Sequence, residues 1–394
     1  MKKTVIAATV LATAGFAHAQ SSVTIFGVVD VGISHYSANS SWHGPGGTAA
    51  PDIHRSQTAL SSGANSTSRI GFRGKEDLGN GWSAGFWLES GFTADNGAPN
   101  GLNFDRRSTV SLSAPFGEIR LGRDYTPTYW NDTSFDPFGP VGVGTGILNK
   151  VNQNIAVARA SGTAPFASDN AIRANNSVGY FLPRGLGGIY GQAMYVFDEG
   201  SKNQRGRYLG GRLGYASGAF DMAVSYAQST GDDYPGITLP AASLDHKIRI
   251  LNLGASYDLK VAKLMGAVTR TQADIKAGTS VAASTYNGML LGVSVPVGSG
   301  VFKAAYSRMK SQKDPYQGLA STEATAQKLA LGYVHNLSKR TALYTTVSRV
   351  WISNGQNDPV ILGLTTGGAA AYQSTGGYAP HSAAGYEVGL RHSF

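Results

Sequence analysis

The sequence predicts an all-β protein: a transmembrane antiparallel β-barrel of about sixteen strands with short periplasmic turns and long extracellular loops. Three observations predict it. Segments of about ten residues, alternating in polarity and rich in Tyr, Val, Leu and Gly, recur from Ser22 to Phe394. Short tight links alternate with long polar ones along the chain. The last segment is amphipathic and finishes on an aromatic residue, Phe394.

Residues 1–19 read as a cleavable secretory signal. Met1-Lys2-Lys3 is a basic start, Thr4 to Phe16 an apolar run and Ala17-His18-Ala19 an A-x-A cleavage site. The run is shorter than the roughly 20 apolar residues an anchoring helix needs. Residues 20–394 then form one outer-membrane barrel domain, because no composition break, Pro-rich linker or charge run divides them. Beyond the signal no apolar run reaches about 18 residues, so membrane-crossing helices are not expected. The chain has no cysteine, which excludes disulfides, thiolate metal sites and cysteine catalysis and leaves stability to a closed, hydrogen-bonded sheet. The formal charge of +9 comes from Lys and Arg scattered along strand-like segments rather than clustered, so no nucleic-acid partner is expected.

The alternation is legible segment by segment. Val23, Ile25, Val29, Val31 and Ile33 share one face, interleaved with Thr24, Asp30 and Gly32. Phe220, Met222, Val224 and Tyr226 form a second apolar face, and Leu329, Leu331 and Tyr333 a third. In the last segment Tyr386, Val388, Leu390, His392 and Phe394 alternate with Glu387, Gly389, Arg391 and Ser393. Aromatic residues such as Trp82, Tyr226 and Tyr386 suit the membrane interfaces as well as strands in general. A soluble sandwich also alternates, so the links decide. The short set is Leu78–Gly81, Pro115–Gly117, Arg184–Gly188, Ser217-Gly218, Gly298–Gly300 and Leu337–Lys339. The long set is Ser37–Thr67, Asp95–Asn103, Thr126–Ala171, Gly231–Asp245, Gln312–Ala324 and Asn354–Pro380. Two rims of unequal link length are the mark of a barrel in an outer membrane.

In a membrane barrel the outer face must be apolar, because lipid satisfies no polar group, and the lumen is wet. Ile70 and Phe72 take the lipid face, so Arg69 and Arg73 point inward. The same parity places Arg120 inward between Ile119 and Leu121, and Arg212 inward between Gly211 and Leu213. Permanently charged guanidiniums along a low-dielectric wall concentrate anions and oppose cations. The plainer reading is that they pair with Asp30, Glu89 or Glu118 and stiffen the wall. Arg123 ends a strand, and its direction stays open.

Several blocks, in order, resemble the Gram-negative porins of the β-proteobacterial type. They are Ser22–Asp30, Ser68–Gly81, Phe116–Tyr129, Asp136–Gly139, Asn176–Tyr180, Leu337–Tyr344 and Tyr386–Phe394. The resemblance implies a homotrimer of sixteen-stranded barrels, a third loop folded into each lumen, and general diffusion of small hydrophilic solutes. It also implies an arginine cluster on the wall facing acids of that loop. Carried over by position, Arg69 and Arg173 belong to the cluster. The third member falls at Arg106 by the family's R-x-x-x-V-x-L spacing, or at Arg107 by alternation with Val110 and Leu112, and both stay open. Asp136 is the expected opposing acid, with Asp132 second, although a residue before Pro137 also suits a plain turn. The run Gly139–Gly146 lets the loop bend in a confined space. The terminal Phe394 resembles the signal read by the barrel assembly machinery. Lipopolysaccharide and outer-membrane lipid are the expected surroundings, anions and small hydrophilic solutes the expected cargo.

No enzyme, cofactor or metal is expected. His43, His54, His246 and His381 fall in or beside loops, and His35, His335 and His392 near strand ends. None sits in a G-x-S-x-G elbow or an H-E-x-x-H pair, and Gly74-Lys75 lacks the setting of a phosphate-binding loop. A substrate-specific channel and an adhesive barrel with a plugged lumen are the other readings.

Overall fold

The computed structural model describes residues 22–44, 50–98, 101–160, 169–198, 206–230, 244–277, 280–314, 321–358, 372 and 376–394. The expected signal, residues 1–19, lies outside them. One antiparallel sheet of seventeen segments closes on itself. It opens with β1 (Ser22–Trp42), β2 (Ile53–Ser62), β3 (Arg69–Gly79), β4 (Trp82–Gly91), β5 (Arg107–Ala114) and β6 (Gly117–Tyr125). The third loop follows, carrying α1 (Pro127–Ser134) and α2 (Ile147–Ala160). Then come β7 (Arg173–Phe181), β8 (Ile189–Val196), β9 (Tyr208–Ser217), β10 (Phe220–Thr230) and β11 (Leu244–Asp258). The remainder is β12 (Lys263–Ala277), β13 (Ser280–Val297), β14 (Gly300–Lys313), β15 (Thr322–Asn336), β16 (Thr341–Ser353) and β17 (Tyr378–Ser393).

Seventeen segments make sixteen staves. β2 pairs with the upper part of β1, Val31 to Ser40, and β3 with the lower part, Ser22 to Val28. The two are pieces of one stave interrupted at residues 63–68, which gives a closed sixteen-stranded barrel. The seam runs from Val28 opposite Ser393 to Trp42 opposite Tyr378. At its foot Phe394 exchanges two 3.1 Å backbone hydrogen bonds with Gly27.

The outer face is apolar as the alternation requires: Val23, Ile25, Ile33, Val224, Leu331, Val388 and Phe394 are all exposed on the isolated barrel. The short links fall at strand junctions. At β3–β4, Asn80 (φ 52°) and Gly81 (φ 78°) take the left-handed conformations a two-residue hairpin turn needs. Residues 259–262 form a further short turn, between β11 and β12. Ser37–Thr67, expected as one long loop, is mostly strand: β1 continues to Trp42 and β2 occupies Ile53–Ser62. Near a wet rim, polar side chains line strands as readily as loops, so polarity there does not mark a link. Only residues 278 and 279 separate β12 from β13, so the long-loop rim has one short link.

The buried core is the contact between the third loop and the far wall. Pro127 opens α1 at its first turn, where its missing N–H costs nothing. α1 packs on β9, β10 and β11, and α2 on β13 and β14. Phe135 and Val143 are fully buried there. Both sit over wall glycines: a β-carbon at Gly254 would fall 2.0 Å from the Phe135 ring, and one at Gly385 2.6 Å from Val143.

Candidate functional site

Across the lumen from that contact, the starts of β3, β5 and β7 bring arginines to one level of the wall. Arg69 donates to the Thr67 carbonyl at 2.8 Å and the Ser66 hydroxyl at 3.2 Å, and lies 3.6 Å from Glu89. Arg106 and Arg107 both turn inward, so the alternatives of the sequence reading are not exclusive. Arg107 opens β5 opposite Glu89, whereas Arg106 precedes the strand and its N–H donates to the Glu89 carbonyl at 3.1 Å. Alternation begins only after Arg106, which frees its side chain to reach the lumen.

Arg106 Nε donates to Glu89 Oε1 at 2.6 Å. The Tyr125 hydroxyl accepts from Arg106 at 2.7 Å and from Arg173 at 3.0 Å. Arg107 bonds Thr109 at 3.1 Å and lies 3.7 Å from Asp124. Below this level Arg120 pairs with Glu118 at 2.8 Å and Asp124 at 3.2 Å. Arg73 lies over the paired Phe26 and Trp87 rings, 5.2 Å from each centroid, with no acid partner among the described residues. Arg212 points inward and holds the third loop through Asn131 at 2.9 Å. Arg123 reaches the Asp105 carbonyl and the Asn175 side chain.

The two expected loop acids do not face these arginines. Asp132 is buried behind α1, accepting from Asn152 at 2.6 Å and Asn252 at 2.8 Å. Asp136 is buried too, and caps the loop's own backbone at Phe138 (2.9 Å) and Gly146 (2.7 Å). Neither forms an ion pair among the described residues. Asp136 is thus the turn-former that its place before Pro137 also suits, and the carboxylates meeting the arginines, Glu89, Asp124 and Glu118, come from the wall. Burial dominates both loop acids, pushing Asp132 up to about 7 and Asp136 up to about 6 against the hydrogen bonds that favour their charged forms. The loop face of the constriction is instead Tyr129, Trp130, Thr133, Pro140 and Val141, which enclose with the arginines a space of about 460 Å³.

A short insertion completes the rim. Between β2 and β3 the chain bends inward, and Asp30 accepts from the backbone of Asn65 (2.9 Å) and Ser66 (2.5 Å) while Tyr344 donates to it at 2.6 Å. Arg391, inward on β17, donates to Asn65 at 2.9 Å. Asp30 therefore shapes the bend rather than the arginine row. Sequence reasoning assigns no role to Tyr125, Asp124, Asn65, Trp130 or Arg391. Parity points to Arg391 and Asp124, but nothing local marks the other three. Among the described residues no His/Cys/Asp/Glu group is placed to hold a metal.

Comparison with known proteins bears on this arrangement. A Gram-negative porin family model matches residues 4–355. The chain is 40% identical over 401 residues to outer membrane porin protein 32 of Delftia acidovorans, covering 100% of both chains. It is 30% identical to an outer membrane porin protein of Bordetella pertussis, covering 87% of this chain and 93% of that one. Among solved structures, an anion-selective porin from Comamonas acidovorans superposes with a TM-score of 0.74 at 35% identity, covering 95% of this chain and 100% of that one. The trimer form of OmpT from Vibrio cholerae shares the fold at 13% identity and a TM-score of 0.61, covering 95% and 99%.

Proposed function

The chain belongs to the Gram-negative porin family, and from that premise we propose that its water-filled outer-membrane channel passes small hydrophilic solutes with a preference for anions. One observation carries the preference. Arg69, Arg106, Arg107 and Arg173 converge on one side of the constriction, where their acid partners among the described residues are Glu89 and Asp124. The wall therefore keeps excess positive charge where the passage is narrowest. An anion about 4 Å from one guanidinium gains about 1 kcal/mol in bulk water, and about 4 kcal/mol at an effective dielectric of about 20. A cation at the same place is opposed by as much. Arg73 and Arg120 extend the positive wall below the constriction. The partner acids keep the guanidiniums in fixed orientations, so pairing and pore lining coexist. No step is chemical: this is a channel, not an enzyme.

From the same premise we propose a homotrimer in a lipopolysaccharide-bearing membrane, exported on residues 1–19 and assembled through the strand ending at Phe394. The trimer form of the fold-related Vibrio protein supports the first of these.

The test of selectivity is a planar bilayer under a potassium chloride gradient. The reversal potential of the native channel should lie on the anion side. The combined replacements Arg69→Gln, Arg106→Gln, Arg107→Gln and Arg173→Gln should move it toward cations. An unmoved potential sinks the assignment.

A further inference from the structure

We infer that the constriction favours monocarboxylates carrying an aromatic ring over smaller hydrophilic anions of the same charge. The inference rests on the anion-preferring reading and narrows it to a class of solute. Its first ground is what faces the arginines. In place of acids, the loop presents Tyr129, Trp130, Pro140 and Val141 to the same space. Trp130 keeps 40% of its surface exposed inside a wet lumen, so apolar area stands open to a passing solute. It is close to the charges: its ring lies 5.3 Å from that of Tyr125, whose hydroxyl bonds Arg106 and Arg173.

The second ground is how the arginines are held. Arg107 lies over the Trp87 ring at 4.6 Å and Arg173 over the Tyr125 ring at 4.5 Å. Stacking engages the face of a guanidinium and leaves donors on its edge, the side that binds a carboxylate. The pattern continues below, where Trp87 also borders a cavity of about 790 Å³ that contains Arg73. A solute with a carboxylate at one end and a ring at the other thus meets a cation and an apolar surface together at successive levels. Acetate or chloride meets only the cation.

The experiment measures permeability ratios in planar bilayers with sodium benzoate on one side and sodium acetate on the other. The native channel should pass benzoate at least as well as acetate, although acetate is smaller. One aromatic contact is worth roughly a threefold change in that ratio. Trp130→Gln should therefore lower it by about threefold and Trp130→Phe should retain it. A native channel that passes the two anions in order of size overturns the inference, as does an unchanged ratio in Trp130→Gln. Should Trp130→Gln yield no channels, the native ratio decides alone. If the potassium chloride gradient shows no anion preference, the parent reading falls and takes this one with it. If that preference stands while size order holds, only this inference falls.

Discussion

Along β3 to β7 the inward arginines Arg69, Arg107 and Arg120 border open cavities, whereas across the lumen Lys328 of β15 and Glu387 of β17 point inward by the same alternation and are buried against the third loop, Glu387 at the edge of a cavity. Lys328 donates to the Thr145 carbonyl at 2.6 Å. Glu387 accepts from the Val143 N–H at 2.9 Å and from Tyr36 at 3.0 Å. On one side charge is left to water and acts on ions. On the other it is buried and fastens the loop that narrows the pore. Strand parity sets direction alike on both sides, and coverage by the loop decides the role.

The comparison breaks most visibly at Lys328. Its replacement by Met leaves the Thr145 carbonyl without its partner and removes a cation that acts on both Asp136 and Glu387. Leaving that buried carbonyl unpaired costs about 1–3 kcal/mol, enough to loosen the second half of the loop. Lys328→Met should give larger and noisier single-channel conductance and a lower thermal midpoint in detergent. A quiet channel of native conductance would show that the loop is seated by packing alone.

Gly254→Ala probes that packing. The added methyl would meet the Phe135 ring at 2.0 Å, and overpacking of this kind costs about 1–3 kcal/mol. The loop should loosen at its first half, where α1 meets β10 and β11, with a fall in thermal midpoint comparable to that of Lys328→Met. On the open side Arg106→Gln leaves Arg69 3.6 Å from Glu89 to compensate that carboxylate, so its cost stays below the roughly 3–5 kcal/mol of a buried pair left with no partner. Its effect should appear first as a shift of reversal potential toward cations. A variant that instead loses its thermal midpoint as Lys328→Met does would erase the distinction between the two sides.

How far the sequence reaches follows the same division. Barrel, stave count, inward arginines and closing strand are legible because a membrane forces period-two alternation on every strand. Residues 53–62 read as loop because a strand whose faces are both wet loses that signal. Arg106 and Arg107 both read as candidates, and the start of β5 between them explains why both reach the lumen. The loop acids fall elsewhere than expected for another reason. Resemblance supplies a type of residue on a loop, but whether it faces the pore depends on which way α1 rolls. That roll is settled by contacts as distant in sequence as Asn131 with Asn252 and Arg212. Trp130 escapes notice because one aromatic residue on a loop carries no pattern.

The buried acids sharpen the comparison through pH, with the smallest effect. Asp132 is held at about 7 and Asp136 at about 6 because burial disfavours their charged forms, while an unfolded chain titrates near 4. A carboxyl whose folded value is raised contributes stability that is fully present below about pH 4. That stability is lost as pH rises through the folded values. Detergent-solubilised protein should therefore show a thermal midpoint that declines from about pH 4 to about pH 7. Asp132→Asn keeps the size of the side chain and removes one of the two titrations, so it should flatten the upper part of that decline. The row of arginines stays charged over this range, so the reversal potential should hold steady while stability falls. A potential that moved with the midpoint would mean that the seat of the loop and the charge of the pore are one system rather than two.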